Sequence, residues 1–175
     1  MNKSFVHLHA HTEYSMLDGA AKINDYLKKV KDLDQPAAAI TDHGNLYGAL
    51  EFVRQAESLD IKPIIGYEAY ITPGSRFDRP DRDKNKRYHL TLLAENNIGY
   101  QNLVELVSKA YLEGFYYKPR IDYELLRLHS KGIIALSGCL GGEVAQHLAP
   151  DGSTEEGNTA NEKSFERALE KAKNY

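Results

Sequence analysis

The hydrophobic residues along this chain change their spacing repeatedly, and the changes predict strands and helices in alternation. Short apolar runs typical of strands lie at 5–11, 37–41, 62–71, 88–94 and 132–137. In the segments between and after them, apolar residues recur every three or four positions, which predicts helices at 20–33, 46–59, 98–113, 121–129, 143–148 and 162–175. The polar segments 72–87 and 151–161 have no such periodicity and predict surface loops, the first of them mobile.

This order of elements indicates an α/β fold with a mainly parallel sheet. The run 37–41 is apolar almost throughout, as expected for a strand that is buried on both faces. Asn45 follows that run and is the predicted N-cap of the next helix. Because sheets of this class carry their chemistry at the carboxyl ends of the strands, ligand-type side chains at those ends are candidate site residues.

Length and composition narrow the classes of protein to consider. A chain of 175 residues with 42% hydrophobic and 27% charged residues is typical of one globular domain with a sizeable core. The net charge of -3 argues against a simple nucleic-acid-binding module, but not against an enzyme that neutralises phosphate with metal ions. The single cysteine, Cys139, excludes an intrachain disulfide and favours a reducing compartment. With no apolar signal segment and no run of about 18 apolar residues, the sequence predicts a cytoplasmic protein without a membrane span.

Three histidines stand at alternate positions near the N-terminus, in the sequence FVHLHAH. On a strand, His7, His9 and His11 would share one face, with neighbours about 6.6 Å apart. Tetrahedral zinc needs ligand nitrogens roughly 3.3 Å apart, which two imidazoles that lean together can supply. A polar strand surface explains one such motif equally well, so the motif alone does not decide between them.

More ligand-type residues lie at or near the ends of later predicted strands, namely Asp42, His43, Glu68 and Cys139, with His89 in the fourth strand. Each has an ordinary explanation when taken alone, for example Asp42 as a helix cap or Cys139 as a small buried apolar residue. One metal centre would explain all of them, with Asp42 supporting the ligand next to it. A mixture of imidazole, carboxylate and thiolate suits zinc, manganese or iron, and more than four ligands indicate more than one ion. Clusters of this kind attack phosphate esters.

The same residues carry a resemblance to a known family. The sequences LHAHT at 8–12 and TDHG at 41–44, with Glu68, resemble successive motifs of the polymerase and histidinol phosphatase (PHP) superfamily. The stretches 88–122 and 132–143 are more specific. They resemble the N-terminal PHP domain of the alpha subunits of bacterial DNA polymerase III, the C-family replicative polymerases. The resemblance covers residues 4–148.

This resemblance implies a distorted, TIM-like (β/α)7 barrel with up to three zinc or manganese ions held by nine side chains. Seven of the nine are carried over to His9, His11, Asp18, His43, Glu68, His89 and Cys139. His7 and Asp42 are then expected to support these ligands. The last two ligands form an Asp-x-His pair, and no such pair follows Cys139. We therefore expect residues 1–175 to be the N-terminal portion of a PHP domain, a barrel that is incomplete at its C-terminal end, and its open edge to favour self-association.

The function that the resemblance implies is metal-dependent 3′–5′ exonuclease activity in a protein that carries out DNA-directed DNA synthesis. The implied partners are the 3′ end of the primer strand and other replicase subunits. The expected catalytic residues are His9, His11, Asp18 and His43, with Lys118 or Arg120 assisting at the phosphate. The chain on its own is expected to be inactive.

Three alternatives remain open at this point. The domain could be a silent scaffold that docks partners, or a small-molecule phosphatase with the same motifs. An amidohydrolase-type barrel also begins with an HxH motif, but it would need a bridging lysine near the end of the fourth strand, where none is placed. His129 and His147 are interpreted as surface residues.

Overall fold

The computed structural model describes residues 5–16, 18–148, 166, 168–170 and 172–173. Its helices are α1 (Ile23–Asp32), α2 (Ala49–Ser58), α3 (Asn97–Leu112), α4 (Tyr123–Leu128) and α5 (Glu143–Leu148). Its strands are β1 (Ala37–Ile40), β2 (Lys62–Thr72), β3 (Tyr88–Ala94), β4 (Arg120–Asp122) and β5 (Ile133–Leu136), and short 3-10 helices cover Glu13–Ser15 and Arg82–Lys84. The loop predicted at 151–161 lies outside the described residues. Of the helix predicted at 162–175, positions 166, 168–170, 172 and 173 are described; all of these are helical except 173, which lies in a turn.

The described strands form one mixed sheet in the order β1-β2-β3-β5, and β4 also pairs with β2. β2 runs parallel to β1 and β4, whereas β3 runs antiparallel to β2 and β5. The α/β class is therefore confirmed, and the expectation of a mainly parallel sheet is wrong. The physical reason lies in the segment 73–87, which joins β2 to β3 without a crossover helix, so that the chain returns in the opposite direction.

The N-terminal segment 5–11 is extended but is not a strand, contrary to prediction. Two backbone hydrogen bonds tie it to the edge of β1, from Ala39 N to His7 O at 3.1 Å and from Thr41 N to Ala10 O at 2.8 Å. The two bonds are three residues apart along the N-terminal segment but only two residues apart along β1. The N-terminal segment therefore has one extra residue, which breaks the regular alternation of a strand.

Two further boundaries differ from those predicted. The helix expected at 121–129 begins at Tyr123, because Asp122 ends β4 and its carboxylate caps the helix by accepting a hydrogen bond from Leu125 N at 2.9 Å. Asn45 is not a helix cap, since α2 begins at Ala49. The Asn45 side chain instead accepts a hydrogen bond from Tyr47 N at 3.0 Å and so fixes a turn before the helix.

The loop at 72–87 is tied to the body of the domain, although the sequence predicted a mobile segment. The Arg76 guanidinium pairs with Glu113 at 2.7 Å and with Asp122 at 3.1 Å. Arg76 is itself almost buried, at 9% exposure, so these ion pairs are shielded from water.

The core determines which face of the sheet is free for chemistry. One apolar cluster packs α3 and α4 against alternate residues of β2 and β3, including Tyr67, Ala69, Ile71, Leu90 and Leu92. A second cluster packs α1 and α2 against β1. The intervening residues of β2 and β3 point to the opposite face. In the register of the two strands, Glu68 lies opposite Thr91 and Tyr70 lies opposite His89. Among the described residues, no helix is long and apolar enough to cross a membrane.

Candidate metal centre

The candidate centre is built around Glu68, whose carboxylate is completely buried in the middle of β2. Its Oε2 atom lies 2.7 Å from His9 Nε2 and 2.9 Å from His11 Nε2. Its Oε1 atom lies 2.7 Å from His89 Nδ1. His43 approaches from the Oε2 side, with its Nδ1 atom at 3.6 Å. Four histidines from three separate segments of the chain thus converge on one carboxylate.

These contacts divide into two groups of possible ligands that share Glu68. His9, His11 and Glu68 form one group, and His43, His89 and Glu68 form the other, each with ligand atoms within 4.8 Å of one another. A carboxylate that belongs to two groups of possible ligands could serve two cations a few ångströms apart.

Asp18 and Cys139 extend the centre at opposite sides. Asp18 Oδ2 lies 2.8 Å from His43 Nε2, and its side chain is 54% exposed. Cys139 Sγ lies 3.6 Å from Glu68 Oε1 and 3.5 Å from His89 Nδ1. The structure therefore brings together all seven residues that the sequence analysis named as ligands.

Charge around Glu68 shifts the pKa values of the groups at the centre. Burial alone would raise the pKa of Glu68, but hydrogen bonds from His11, His89 and His9 outweigh it and hold this pKa far below its usual range. The same hydrogen bond to Glu68 raises the pKa of His11. Burial lowers the pKa of His43 and raises that of Cys139. A buried carboxylate that holds its negative charge among imidazoles is an environment that attracts cations.

The residues present fit divalent metal ions. Distances of 2.7–2.9 Å between imidazole nitrogens and carboxylate oxygens are a few tenths of an ångström shorter than the roughly 3.3 Å between ligands of one tetrahedral ion, so small shifts would admit a cation. His43 Nδ1 is buried and has no hydrogen-bond partner in the described part of the chain, which leaves a nitrogen available beside Glu68. Imidazole and carboxylate donors with one thiol suit transition metals better than calcium or magnesium.

Comparison with known proteins identifies the family. The family model described as PHP domain matches residues 7–175. The chain belongs to the PHP domain family. It is 59% identical to the DNA polymerase III subunit alpha of Thermus aquaticus over 152 residues, which are 84% of this chain and 12% of that protein. It is 56% identical to the DNA polymerase III subunit alpha of Deinococcus radiodurans over 154 residues, 83% of this chain and 12% of that protein.

The chain of this PHP domain thus spans about one eighth of the length of these two relatives. Among solved structures, an inferred metal-dependent phosphoesterase from Bifidobacterium adolescentis aligns with 17% identity and a TM-score of 0.45 over 63% of this chain and 34% of its own.

His43 and Cys139 of the PHP domain are placed by the loops that follow β1 and β5. His43 follows β1 and continues its parallel pairing with β2, directly opposite Glu68. Gly44 then turns the chain with a φ of +67°, where a Cβ atom would come within 2.9 Å of Pro119. This explains the glycine of the TDHG motif. Cys139 is brought to His89 by the loop after β5, because Gly141 O accepts a hydrogen bond from His89 N at 2.9 Å.

Asp42 supports the PHP centre, but not through a contact with its neighbour His43. Its buried carboxylate accepts hydrogen bonds from Thr12 N at 2.6 Å, from Thr12 Oγ1 at 2.8 Å and from Ser15 Oγ at 2.8 Å. Ser15 Oγ also lies 3.3 Å from His11 Nδ1. Because the single hydroxyl proton of Ser15 goes to Asp42, His11 Nδ1 donates to Ser15 and leaves Nε2 directed at Glu68.

Sequence reasoning missed Thr12 and Ser15 as functional residues. Their only signal was two hydroxyl residues closely following an HxH motif. His7, by contrast, was expected to support the ligands. Its ring packs edge-on against Phe5 with centroids 4.8 Å apart, and its carbonyl binds Ala39. These contacts give His7 a role in holding the N-terminal segment.

The two basic residues expected at the phosphate differ in placement. Lys118 Nζ lies 5.3 Å from the centroid of the Tyr70 ring, and that ring stacks on His43 with centroids 5.9 Å apart, so Lys118 stands at the rim of the centre. Arg120 is fully buried. Its guanidinium donates to the carbonyls of Gly114, Arg76 and Asp78 and to the side chain of Asn85 at 2.8–3.1 Å. Arg120 therefore anchors the loop at 72–87, and this placement argues against the phosphate role expected for it.

Proposed function

We propose that this PHP domain is a metal-dependent phosphodiesterase that removes nucleotides from the 3′ end of DNA as the proofreading exonuclease of a bacterial replicative polymerase. The observation that carries the proposal is the buried Glu68 carboxylate, which belongs to two groups of possible metal ligands, one with His9 and His11 and the other with His43 and His89. High identity to DNA polymerase III alpha subunits supports the choice of DNA as substrate. The other replicase subunits would be partners, and the cytoplasm would be the site of action.

The same proposal covers the domain boundaries and the metals. Residues 1–175 would form the N-terminal portion of the PHP domain, with a (β/α)7 barrel as its complete architecture and DNA-directed DNA synthesis as the activity of the parent protein. Zinc or manganese would be bound, with up to three ions in the complete domain.

Each side chain then has a role in the reaction. His9, His11 and Glu68 would hold one cation and His43, His89 and Glu68 a second, with Asp18 and Cys139 as further ligands. Such cations supply hydroxide near neutral pH and stabilise the leaving oxygen. Asp18 is exposed at the open side of the centre and is placed to accept the proton of the attacking water, and His43 fixes its position. Lys118 would neutralise charge on the phosphate.

The test combines metal content with nuclease activity. The chain is reconstituted with Zn²⁺ or Mn²⁺ and its bound metal is measured by elemental analysis. Exonuclease activity is then followed as shortening of a 5′-labelled oligonucleotide by the complete polymerase subunit that carries this sequence. We expect at least two ions per chain and stepwise loss of 3′ nucleotides. Glu68→Gln should lose both, whereas Glu57→Gln, at an exposed position of α2, should lose neither.

A metal content near zero after reconstitution would refute the proposal. Intact exonuclease activity in Glu68→Gln would do the same. A panel of phosphomonoesters tested beside the oligonucleotide separates this function from that of a small-molecule phosphatase, which would hydrolyse the monoesters and spare the oligonucleotide.

A further inference from the structure

A cavity of about 310 Å³ opens next to the candidate metal centre, on the side of Asp18, His43 and His89. Its lining also includes two tyrosines from different elements. Tyr47 comes from the turn before α2 and is 64% exposed, and Tyr111 comes from the end of α3 and is 37% exposed. Large aromatic side chains kept in contact with water beside a polar centre are a common feature of binding surfaces.

The two tyrosines are held in place. Asn45 Oδ1 accepts a hydrogen bond from the backbone nitrogen of Tyr47 at 3.0 Å, which fixes the turn. Burial, and after it the neighbouring Tyr47 side chain, raise the pKa of the Tyr111 phenol. The Tyr111 ring also stacks against Phe115 with centroids 6.1 Å apart. The backbone of Tyr47 and the ring of Tyr111 are therefore each held by a contact within the domain.

The polar groups of the cavity wall are already engaged. Asn45 donates both protons of its amide, to Tyr14 O and His43 O. The hydroxyl of Tyr14 donates to Glu51 at 2.8 Å. Asp18, the one carboxylate among the residues that line the cavity, is bonded to His43. The wall thus offers ring faces, and it offers neither a free carboxylate for an amine nor a fixed set of donors for the edge of a particular base.

The lining of the cavity also carries a positive charge, on Lys118. Lys118 lines the cavity and its ammonium group lies over Tyr70, whose ring stacks on His43 and meets His89 edge-on at 5.2 Å between centroids. A phosphate beside the metal centre would therefore be within reach of Lys118. A cation for phosphate and aromatic faces for a base, in the lining of one cavity, match the two parts of a nucleotide.

We propose that this cavity is a nucleoside subsite, in which the base of the 3′-terminal nucleotide packs against Tyr47 and Tyr111 while Lys118 contacts its phosphate. The inference rests on the proposed function for the identity of the chain that enters. At about 310 Å³ the cavity is at the small end of ligand pockets, so it admits one nucleoside and excludes a base pair. Stacking on ring faces tolerates every base, which gives an exonuclease that is insensitive to sequence and needs an unpaired terminal base.

The experiment compares two single-stranded pentanucleotides that differ at one position. Both carry a 5′ fluorophore and phosphorothioate linkages that resist hydrolysis, and they end in thymidine or in an abasic deoxyribose analogue. Binding to the chain with Mn²⁺ is measured by fluorescence anisotropy. Stacking of one base on aromatic side chains predicts that the thymidine end binds about tenfold more tightly than the abasic end.

Variants test whether this ratio of affinities depends on the rings of Tyr47 and Tyr111. Tyr47→Leu and Tyr111→Leu should each lower the ratio to about two or below, and Tyr47→Phe, which keeps the ring, should retain it. The control is Tyr100→Leu, which removes an equally accessible tyrosine from the first turns of α3 and should leave the ratio unchanged. Circular dichroism spectra and bound Mn²⁺ are measured for each variant, so that the ratio is compared among folded, metal-loaded proteins.

Equal binding of the two oligonucleotides by the parent chain would overturn the subsite. An unchanged ratio in Tyr47→Leu and Tyr111→Leu would overturn it as well. The readout is separate from hydrolysis. Tyrosine-dependent binding without any nuclease activity would leave the subsite standing and refute the exonuclease, whereas hydrolysis with a ratio of one would do the reverse.

Discussion

Replacement of Asp42 by asparagine tests whether one buried charge organises the N-terminal part of the PHP centre. The carboxylate is 1% exposed and accepts three hydrogen bonds, two from Thr12 and one from Ser15, at 2.6–2.8 Å. Asparagine has nearly the same shape. Its single oxygen can accept from Thr12 N and Ser15 Oγ, while its NH2 group faces Thr12 Oγ1, which must turn its proton away.

The magnitude follows from the loss of charge. A hydrogen bond to an ionised acceptor contributes about 1 kcal/mol more than a neutral one, so three such bonds correspond to about 3 kcal/mol. A neutral amide is cheaper to bury than a carboxylate, which reduces the net loss to about 2 kcal/mol. For a domain of this size that loss lowers the melting temperature by about 4–8 °C. Metal affinity should fall about 10- to 100-fold, because Ser15 no longer orients His11 firmly.

The assays are urea unfolding followed by circular dichroism and competition for Zn²⁺ with a chromophoric chelator. The matched control is Asp32→Asn, at an exposed position near the end of α1, for which neither quantity should change appreciably. If Asp42→Asn unfolds within about 0.5 kcal/mol of the parent and binds Zn²⁺ equally well, the charge of Asp42 does not hold the loop, and the reasoning fails.

Three further predictions concern single groups. Ser15→Ala removes the acceptor of His11 Nδ1 and should weaken Zn²⁺ binding about tenfold, with a smaller loss of stability than in Asp42→Asn; unchanged affinity in the chelator competition would contradict this. The metal-free chain should be most stable near pH 6.5. Because the pKa of His11 is raised, the chain loses stability as the pH rises through that pKa, and because the pKa of His43 is lowered, it loses stability as the pH falls below 6.5. Bound Zn²⁺ should remove the loss at high pH, and melting curves from pH 5 to 9 will test this. Arg120→Met should lower the free energy of unfolding in urea by more than about 3 kcal/mol, because it leaves buried acceptors unpaired. A variant of normal stability with a raised KM for DNA would instead support a phosphate contact.

The residues of the centre could be named from the sequence, but their arrangement could not. Motif spacing pointed to His9, His11, His43, Glu68 and Cys139 because each lies near the end of an apolar run, and such ends meet at one edge of a sheet. Nothing in a single acidic residue within KPIIGYEAYI indicates that it will be completely buried and shared by four histidines. That property arises from contacts between segments that are far apart in sequence.

The errors in the fold have specific physical causes. β4 has only three residues, too few for a period of two to be recognised, so it was absorbed into the following helix. The reversed direction of β3 did have a signal, because the polar segment before it has no helical periodicity. The sequence could not show that Arg120 is buried, because its four acceptors come from residues between 6 and 44 positions away.

The irregular pairing of the N-terminal segment also explains how two histidines reach a single oxygen. On a regular strand, the side chains of His9 and His11 would start about 6.6 Å apart and point in parallel. Here the segment pairs irregularly with β1, and the two rings lie with centroids 5.0 Å apart and planes inclined by 76°. Backbone pairing too sparse to form a strand cannot hold this geometry alone. The hydrogen bonds from Thr12 and Ser15 to Asp42 add the support that a regular strand ladder would otherwise give to this segment. The metal affinity of the domain should therefore depend on the Asp42 carboxylate, although it contacts neither of these two histidines.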